Sequence, residues 1–335
     1  MKPFHTGLVV GKFSPLHLGH ELLIGRAMAA CEQVVIIAYS QPELPGCSSY
    51  LREQWLRTRF PHATVLVLHN DRHDLPDNDA DATVHRRLMG WACLHLLGRP
   101  VDAVFTSEDY GDGFAAELTR YFARHGHRRA PVRHVLVDQA RRLVPVSGTA
   151  IRQDPHAHRA FLSAPVYASY VQTVCFLGGE SSGKSTLAQA MAAACRTVWA
   201  PEYGRELWEA RGGELAYEDL LHIAQVQQQR EDDLRPLATR YLFCDTSTLT
   251  TLFYSREMFG RAEPELEHRA GRQYDHVFVC VPDFAFVQDG TRRDDSFRLH
   301  QHAWYITELQ RRNIAYTLLI GPPPQRIATV LQHLS

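Results

Sequence analysis

The sequence predicts an α/β protein of two domains, each built around a parallel β-sheet. Apolar runs of four to seven residues without polar alternation recur between helical stretches, the pattern of strands covered on both faces. Two glycine-containing sequences of the kind that cradles phosphate each follow such a run directly. The length, 335 residues, exceeds a typical single core and suits two domains of about 150 residues.

In the first half, Leu8 to Val10 opens the sheet, followed by Gln33 to Tyr39, Thr64 to Leu68, Val101 to Thr106 and Val132 to Val137. The order reads as a Rossmann-like, doubly wound arrangement, in which ligands bind beyond the carboxyl ends of the strands. The first strand ends at Gly11-Lys12-Phe13-Ser14-Pro15, and a helix is predicted from His17 through Ala27. His17 and His20 stand three residues apart around Gly19 and can share a helix face. The unpaired amides and dipole of a helix start favour phosphate there. Imidazoles so placed can donate hydrogen bonds to a phosphoryl transition state, and Lys12 can add a full charge. Downstream, Ser147-Gly148-Thr149-Ala150-Ile151-Arg152 opens another helix with hydroxyls, a tight turn and a guanidinium suited to phosphate oxygens.

A strand followed by His-x-Gly-His, closed by Ser-x-Thr-x-Ile-Arg, resembles the nucleotidylyltransferase superfamily, and within it the nicotinamide-mononucleotide adenylyltransferases. The resemblance implies that His17, His20 and Arg152 hold the ATP phosphates, with Lys12 assisting and Gly11, Phe13, Ser147 and Thr149 shaping the nucleotide site. A pyridine ring in this family commonly stacks on an aromatic side chain. Trp91 is the candidate, with a core position its alternative; Trp55 reads more readily as core. Adenosine contacts at Thr106-Ser107-Glu108 are a further expectation.

The segment from Val146 to Val171 holds Pro155 and Pro165 and little strand character, so the domains are expected to divide as 1–163 and 164–335. Val171 to Leu177 then forms a new buried strand. Gly178-Gly179-Glu180-Ser181-Ser182-Gly183-Lys184-Ser185 matches the P-loop pattern in full, with Thr186 opening the helix that runs to Cys195. Backbone amides of such a loop cradle the β-phosphate, Lys184 reaches the β- and γ-phosphates, and the Ser185 hydroxyl ligates magnesium. The strand Arg240 to Thr246 ends in Asp245, the magnesium-side carboxylate. Val198 to Ala200 runs into Pro201-Glu202-Tyr203-Gly204-Arg205, which puts an acid and a base at the substrate end of the sheet. Glu202 is the first candidate for the base that accepts a hydroxyl proton, Asp245 the second, and Tyr203 and Arg205 are substrate-side candidates. After His276 to Val281, the polar stretch Gln288 to Asp295 suits a lid, with Arg292 reaching the transferred phosphate. A helix over Arg298 to Arg312, a strand over Ala315 to Ile320 and a last helix beyond Pro322-Pro323-Pro324 complete the half.

Glu-Tyr-x-Arg-Glu after the second strand, Asp-Thr-x-Thr-Leu-Thr-Thr after the third and Asp-Gly-Thr-Arg in the lid resemble the ribosylnicotinamide kinase half of NadR-type proteins, whose first half is the adenylyltransferase above. This resemblance spans essentially the whole chain in the same domain order. It implies a bifunctional enzyme that phosphorylates nicotinamide riboside and adenylylates the product to NAD, using ATP and Mg2+. A kinase with a weak first domain, or an NAD/ATP-binding sensor, stays open. Some members of that family carry an N-terminal helix-turn-helix; here the first strand begins within ten residues of Met1, and a DNA-binding role is not expected.

Composition narrows the classes further. Thirty-six basic and thirty-seven acidic residues give a net charge of −1, and the predicted helices carry no Lys/Arg stripe of the sort nucleic acid demands. The partners expected are small molecules; no stable membrane insertion is foreseen, and an oligomer stays open. The seven cysteines are scattered in apolar runs without a Cys-x-x-Cys pair and read as reduced core thiols of a cytoplasmic protein. The nineteen histidines include pairs such as His156 with His158, in polar segments that read as solvated rather than metal-binding.

Overall fold

The computed structural model describes residues 1–127, 130–283 and 294–334. The chain divides into two compact units, residues 1–169 and 170–335.

The first unit runs β1 (Phe4–Gly11), α1 (Leu18–Ala30), β2 (Cys31–Ala38), α2 (Ser49–Arg59), β3 (Thr64–Val67), α3 (Ala82–Trp91), β4 (Ala103–Thr106), α4 (Gly111–Arg124), β5 (Arg133–Leu136), α5 (Gly148–Gln153) and α6 (Ala164–Ala168). Its five strands lie in the order β3-β2-β1-β4-β5, all parallel. The first strand is central because its apolar run is buried on both faces, Leu8 and Val9 being fully covered. The chain order reverses between β1 and β4, and that switch point opens a crevice at the carboxyl ends of both strands. Helix α4 shows how one face is closed: Phe114, Leu118 and Phe122, four residues apart, sit on Leu8, Val35 and Val104.

The end of this unit lies slightly beyond the expected division at 163/164. Helix α6 packs on α2 with Val166 and Tyr167 buried, and the Trp55 indole Nε1 donates to the Ser169 hydroxyl at 2.8 Å. Those contacts hold the segment through Ser169 to the first core. Trp55, 1% exposed, is a core residue.

The second unit runs β6 (Gln172–Leu177), α7 (Lys184–Ala194), β7 (Trp199–Ala200), α8 (Tyr203–Ala210), α9 (Tyr217–Leu234), β8 (Tyr241–Asp245), α10 (Thr248–Phe259), α11 (Pro264–Arg269), β9 (His276–Cys280), α12 (Asp295–Arg311), β10 (Thr317–Leu319) and α13 (Pro323–Leu334). The parallel strand order is β10-β9-β6-β8-β7. Successive residues of β6 enter different cores. Val174 and Phe176 join Phe243 and Phe278 under α7 and α13, while Cys175 and Leu177 meet Leu220, Leu252 and Tyr305 on the opposite face. That explains the continuous apolar run, since both faces of the pleat are covered.

Element ends shift from expectation for local reasons. Helix α7 begins at Lys184 rather than Thr186 because Gly183, at φ 83°, turns the chain directly into it. Helix α12 starts at Asp295 rather than Arg298, capped by the Asp294 carboxylate, which accepts from Phe297 N at 2.8 Å. All seven cysteines are free thiols, six of them buried. Burial pushes the Cys93 thiol up to about 12, away from thiolate chemistry.

Candidate functional site

The first unit carries a cavity of about 780 Å3 at its switch point. One wall is the loop after β1. His17 is the N-cap of α1, and its Nδ1 accepts from Gly19 N at 3.1 Å, so a ring that could have faced water is pinned to the helix start. His20, one turn later, stacks on it with ring centroids 3.7 Å apart and an interplanar angle of 22°. Phe13 meets the other edge of His20 at 5.0 Å and adopts a left-handed φ of 47°. Such a conformation is costly for an aromatic residue and persists only where its surroundings enforce it.

The opposite wall is the start of α5. Ser147 caps it, accepting from Ala150 N at 3.2 Å. The Arg152 guanidinium donates to the Ser14 carbonyl and, at 3.1 Å, to the Thr149 hydroxyl, joining two sequences far apart in the chain. Gly148 is required at this junction, because a Cβ would stand 2.9 Å from the Ser14 carbonyl oxygen. Gly11, Lys12, Phe13, His17, His20, Ser147, Thr149 and Arg152 thus line one cavity, together with Thr106, Ser107 and Glu108 at the end of β4.

Burial, and then the nearby Arg141 charge, lower the His17 pKa to about 4. Burial and the adjacent His17 hold His20 well below the ordinary imidazole range. Without an anion the pair is therefore neutral at pH 7, and a bound phosphate supplies the charge that favours its protonated form.

Arg141 was missed in the sequence. It lines the cavity six residues before Ser147, in the Arg141-Arg142 pair, a signal that position could have flagged. Arg52 was missed as well. It is fully buried on α2, and its guanidinium donates to the Cys47 carbonyl at 3.1 Å and the Lys12 carbonyl at 3.3 Å, fixing the loop from behind. Trp91 needs correcting as a ring-stacking residue. It is 37% exposed and lines a separate shallow groove with Leu75, Arg87 and Tyr121, because it closes α3 on the far side from the strand ends. The aromatic residues that do line the cavity are Phe13, Tyr39, Tyr110 and Phe114. Tyr39 directly follows β2, a strand-end position that could have marked it.

In the second unit the loop after β6 wraps the start of α7. Gly178 has φ 140°, and a Cβ there would approach the Cys280 carbonyl oxygen to 2.6 Å, so only glycine serves. Ser181 holds a left-handed φ of 56°. The Ser182 hydroxyl donates to the Gly179 carbonyl at 2.7 Å and is buried behind the loop; Thr186 is exposed on α7. Lys184 Nζ donates to the Gly179 carbonyl at 3.0 Å. Arg326 of α13, 2% exposed, clamps the loop through the Ser182 carbonyl at 2.7 Å while reaching the Val281 and Gly321 carbonyls, each at 2.7 Å.

Beside the loop lies a cavity of about 330 Å3 lined by Glu180, Lys184, Glu202, Arg205, Trp208 and Tyr254, among others. Tyr254 OH donates to Glu180 Oε1 at 2.7 Å. Burial first, then the neighbouring Asp245 carboxylate, raises the Glu202 pKa to about 7. Burial also raises that of Asp245, which the Lys184 charge and the Ser185 hydroxyl oppose. Asp245 Oδ1 is buried without a hydrogen-bond partner. Tyr203 does not line this cavity; its ring packs under the Arg230 guanidinium at 5.3 Å and its hydroxyl meets His222 Nε2 at 3.3 Å. Arg292 lies outside the described residues.

Fold and sites together define a class: a two-domain nucleotide-binding protein with a doubly wound His-x-Gly-His unit followed by a P-loop unit. Comparison with known proteins narrows this. Residues 173–326 match the AAA domain family. The chain is 29% identical over 315 residues to the trifunctional NAD biosynthesis/regulator protein NadR of Escherichia coli K12, covering 85% of this chain and 71% of that protein. The protein of the same name from Salmonella typhimurium LT2 is also 29% identical, over 86% of the chain and 72% of that protein. A NadR crystal structure in complex with NAD and AMP-PNP superposes with a TM-score of 0.71 at 20% identity, covering 100% of this chain and 96% of that one. Another, in complex with NR, also gives 0.71, at 19% identity, covering 98% and 95%. The chain is thus similar in sequence to NadR over most of its length and shares the fold of the NadR structures.

Proposed function

We propose that the chain performs two consecutive steps of NAD salvage. The second unit phosphorylates nicotinamide riboside with ATP, and the first transfers the adenylyl group of a second ATP to the mononucleotide, giving NAD and pyrophosphate. The observation that carries this is the pairing, in one chain related to NadR along most of its length, of a stacked His17–His20 pair facing Arg152 with a P-loop facing Glu202.

In the kinase step, Glu202 takes the proton of the attacking riboside hydroxyl. The oxygen bonds to the γ-phosphorus, the bond to the β-γ bridging oxygen breaks, and ADP leaves with Lys184 against the transferred group. Asp245 with its unpartnered Oδ1, beside the Ser185 hydroxyl, fits a hard cation. Magnesium takes few protein ligands and completes its shell with phosphate and water. This accords with there being no cluster of three or more His, Cys, Asp or Glu among the described residues. When bound, the ion would neutralise phosphate charge.

In the adenylyl step, a mononucleotide phosphate oxygen attacks the α-phosphorus and pyrophosphate leaves. His17, His20 and Arg152 hold the charge that develops, aided by Lys12 and Arg141; no covalent intermediate is needed. We place the protein in the cytoplasm, acting on small molecules; none of the described helices is long and apolar enough to cross a membrane.

The test incubates the purified chain with ATP, magnesium and nicotinamide riboside and follows products by chromatography. Mononucleotide first and NAD after it is the expected order. Mononucleotide that accumulates without NAD overturns the assignment of the first unit, and neither product overturns that of the second.

A further inference from the structure

Glu231, on α9, is fully buried beneath the kinase cavity, and the reaction above does not use it. Three donors converge on its carboxylate: Arg272 Nε at 3.1 Å, the Tyr274 hydroxyl at 3.0 Å and Gln227 Nε2 at 3.3 Å. Gln227, one turn earlier on α9 and 3% exposed, uses its other amide atom, Oε1, to accept from Tyr203 N at 2.9 Å. Tyr203 is the first residue of α8, and its peptide nitrogen is bonded directly to the carbonyl carbon of Glu202.

We propose that Glu231, acting through the amide of Gln227, is the positioning device for Glu202, holding the start of α8 so that the Glu202 carboxylate faces Lys184. This rests on the kinase reading and adds to it a residue with no contact to substrate.

The physical argument is one of donor polarity. Arg272 has donors only and cannot exchange roles, so Glu231 serves it as acceptor. An acceptor at Glu231 fixes which end of the Gln227 amide turns toward it, and the carbonyl end is then left for the Tyr203 N–H. Reversing the amide would set its NH2 against that N–H, donor against donor. The fixed amide matters because Glu202, although the N-cap of α8, makes no side-chain capping bond. An Asp at that position ordinarily turns back to accept from the second or third helix amide, and the first amide is left to another acceptor. Here Gln227 supplies the acceptor at the helix start, and the Glu202 side chain lines the cavity with Lys184 instead. A shift of about 1 Å in a reacting group is enough to slow a reaction substantially.

The experiment uses the full chain and measures riboside phosphorylation in Gln227→Leu and Glu231→Gln, each alone and combined with Glu202→Gln. Each single variant is expected to lower kcat about tenfold, with KM for ATP within about twofold, and to lower it no further when Glu202→Gln is present, as for residues acting through one group. Losses equal in the parent and the Glu202→Gln backgrounds would mean a general structural role and overturn the proposal. Glu202→Gln retaining the parent kcat would instead overturn the base assignment, an outcome separate from the first. Glu231→Gln nearly preserves side-chain volume, so the test survives if Gln227→Leu fails to fold, and adenylyl transfer by the same preparation checks that active chain is present.

Discussion

The two candidate sites meet one electrostatic problem with opposite signs. In the first unit the buried titratable groups are bases, His17 and His20, pushed down toward neutrality. In the second they are acids, Glu202 and Asp245, pushed up toward it. Burial is the leading cause in all four, because a low-dielectric site disfavours any isolated charge. On the function proposed above, the first site takes an anion and the second an anion accompanied by a cation. Both loops are nonetheless held alike, each by a buried arginine from a distant helix that donates to loop carbonyls: Arg52 to Lys12 and Arg326 to Ser182.

The sharpest way to break this comparison is to remove one site's charge and ask whether the other notices. Lys184→Ala is expected to slow riboside phosphorylation by about 1000-fold or more, the scale of losing a cation on a transferring phosphoryl group, with mononucleotide adenylylation within a few-fold of the parent. Loss of both activities together in a steady-state assay would sink the two-site account. His20→Ala is expected to do the converse, slowing adenylylation by about 100-fold. Parent-rate NAD formation from the mononucleotide would remove His20 from the site.

The pH dependence sharpens the sign difference. Glu202 must be ionised to accept a proton and its pKa is raised to about 7, so riboside phosphorylation should fall as pH drops through 7. The slope should approach tenfold per pH unit. Magnesium stabilises the carboxylates and should move that limb to lower pH. A kcat/KM profile flat between pH 5 and 8 at every magnesium concentration would refute the assignment.

The shared clamps give a smaller effect. Arg52→Lys and Arg326→Lys keep the charge but lose the planar fork. Each should raise KM for ATP about threefold to tenfold in its own reaction only, the worth of one or two hydrogen bonds. A change in the other reaction would show that the substitution acts through general stability. Smallest of all, Trp91→Ala should leave KM for the mononucleotide within about twofold, since Trp91 lines a different groove. A tenfold rise would restore it to the pyridine site.

Much of the local geometry was legible along the chain. A helix start, an i,i+3 histidine pair and a glycine turn are each specified within ten residues, so the places of His17, His20 and Lys184 at their helix starts could be read directly. The sequence by itself also determined the two parallel sheets, since doubly covered strands must be apolar without alternation. What it could not determine depends on atoms brought together from far apart. The buried Arg52 and Arg326 look like surface charges in a linear reading. Trp91 was the candidate ring platform until helix α3 turned it to another groove, and Tyr203 a substrate-side candidate until Arg230 and His222 engaged it. The Glu231–Gln227–Tyr203 chain spans three separate sequence positions whose meaning is hydrogen-bond polarity. Only packing decided those matters, because burial and donor direction belong to the three-dimensional neighbourhood and not to the residue.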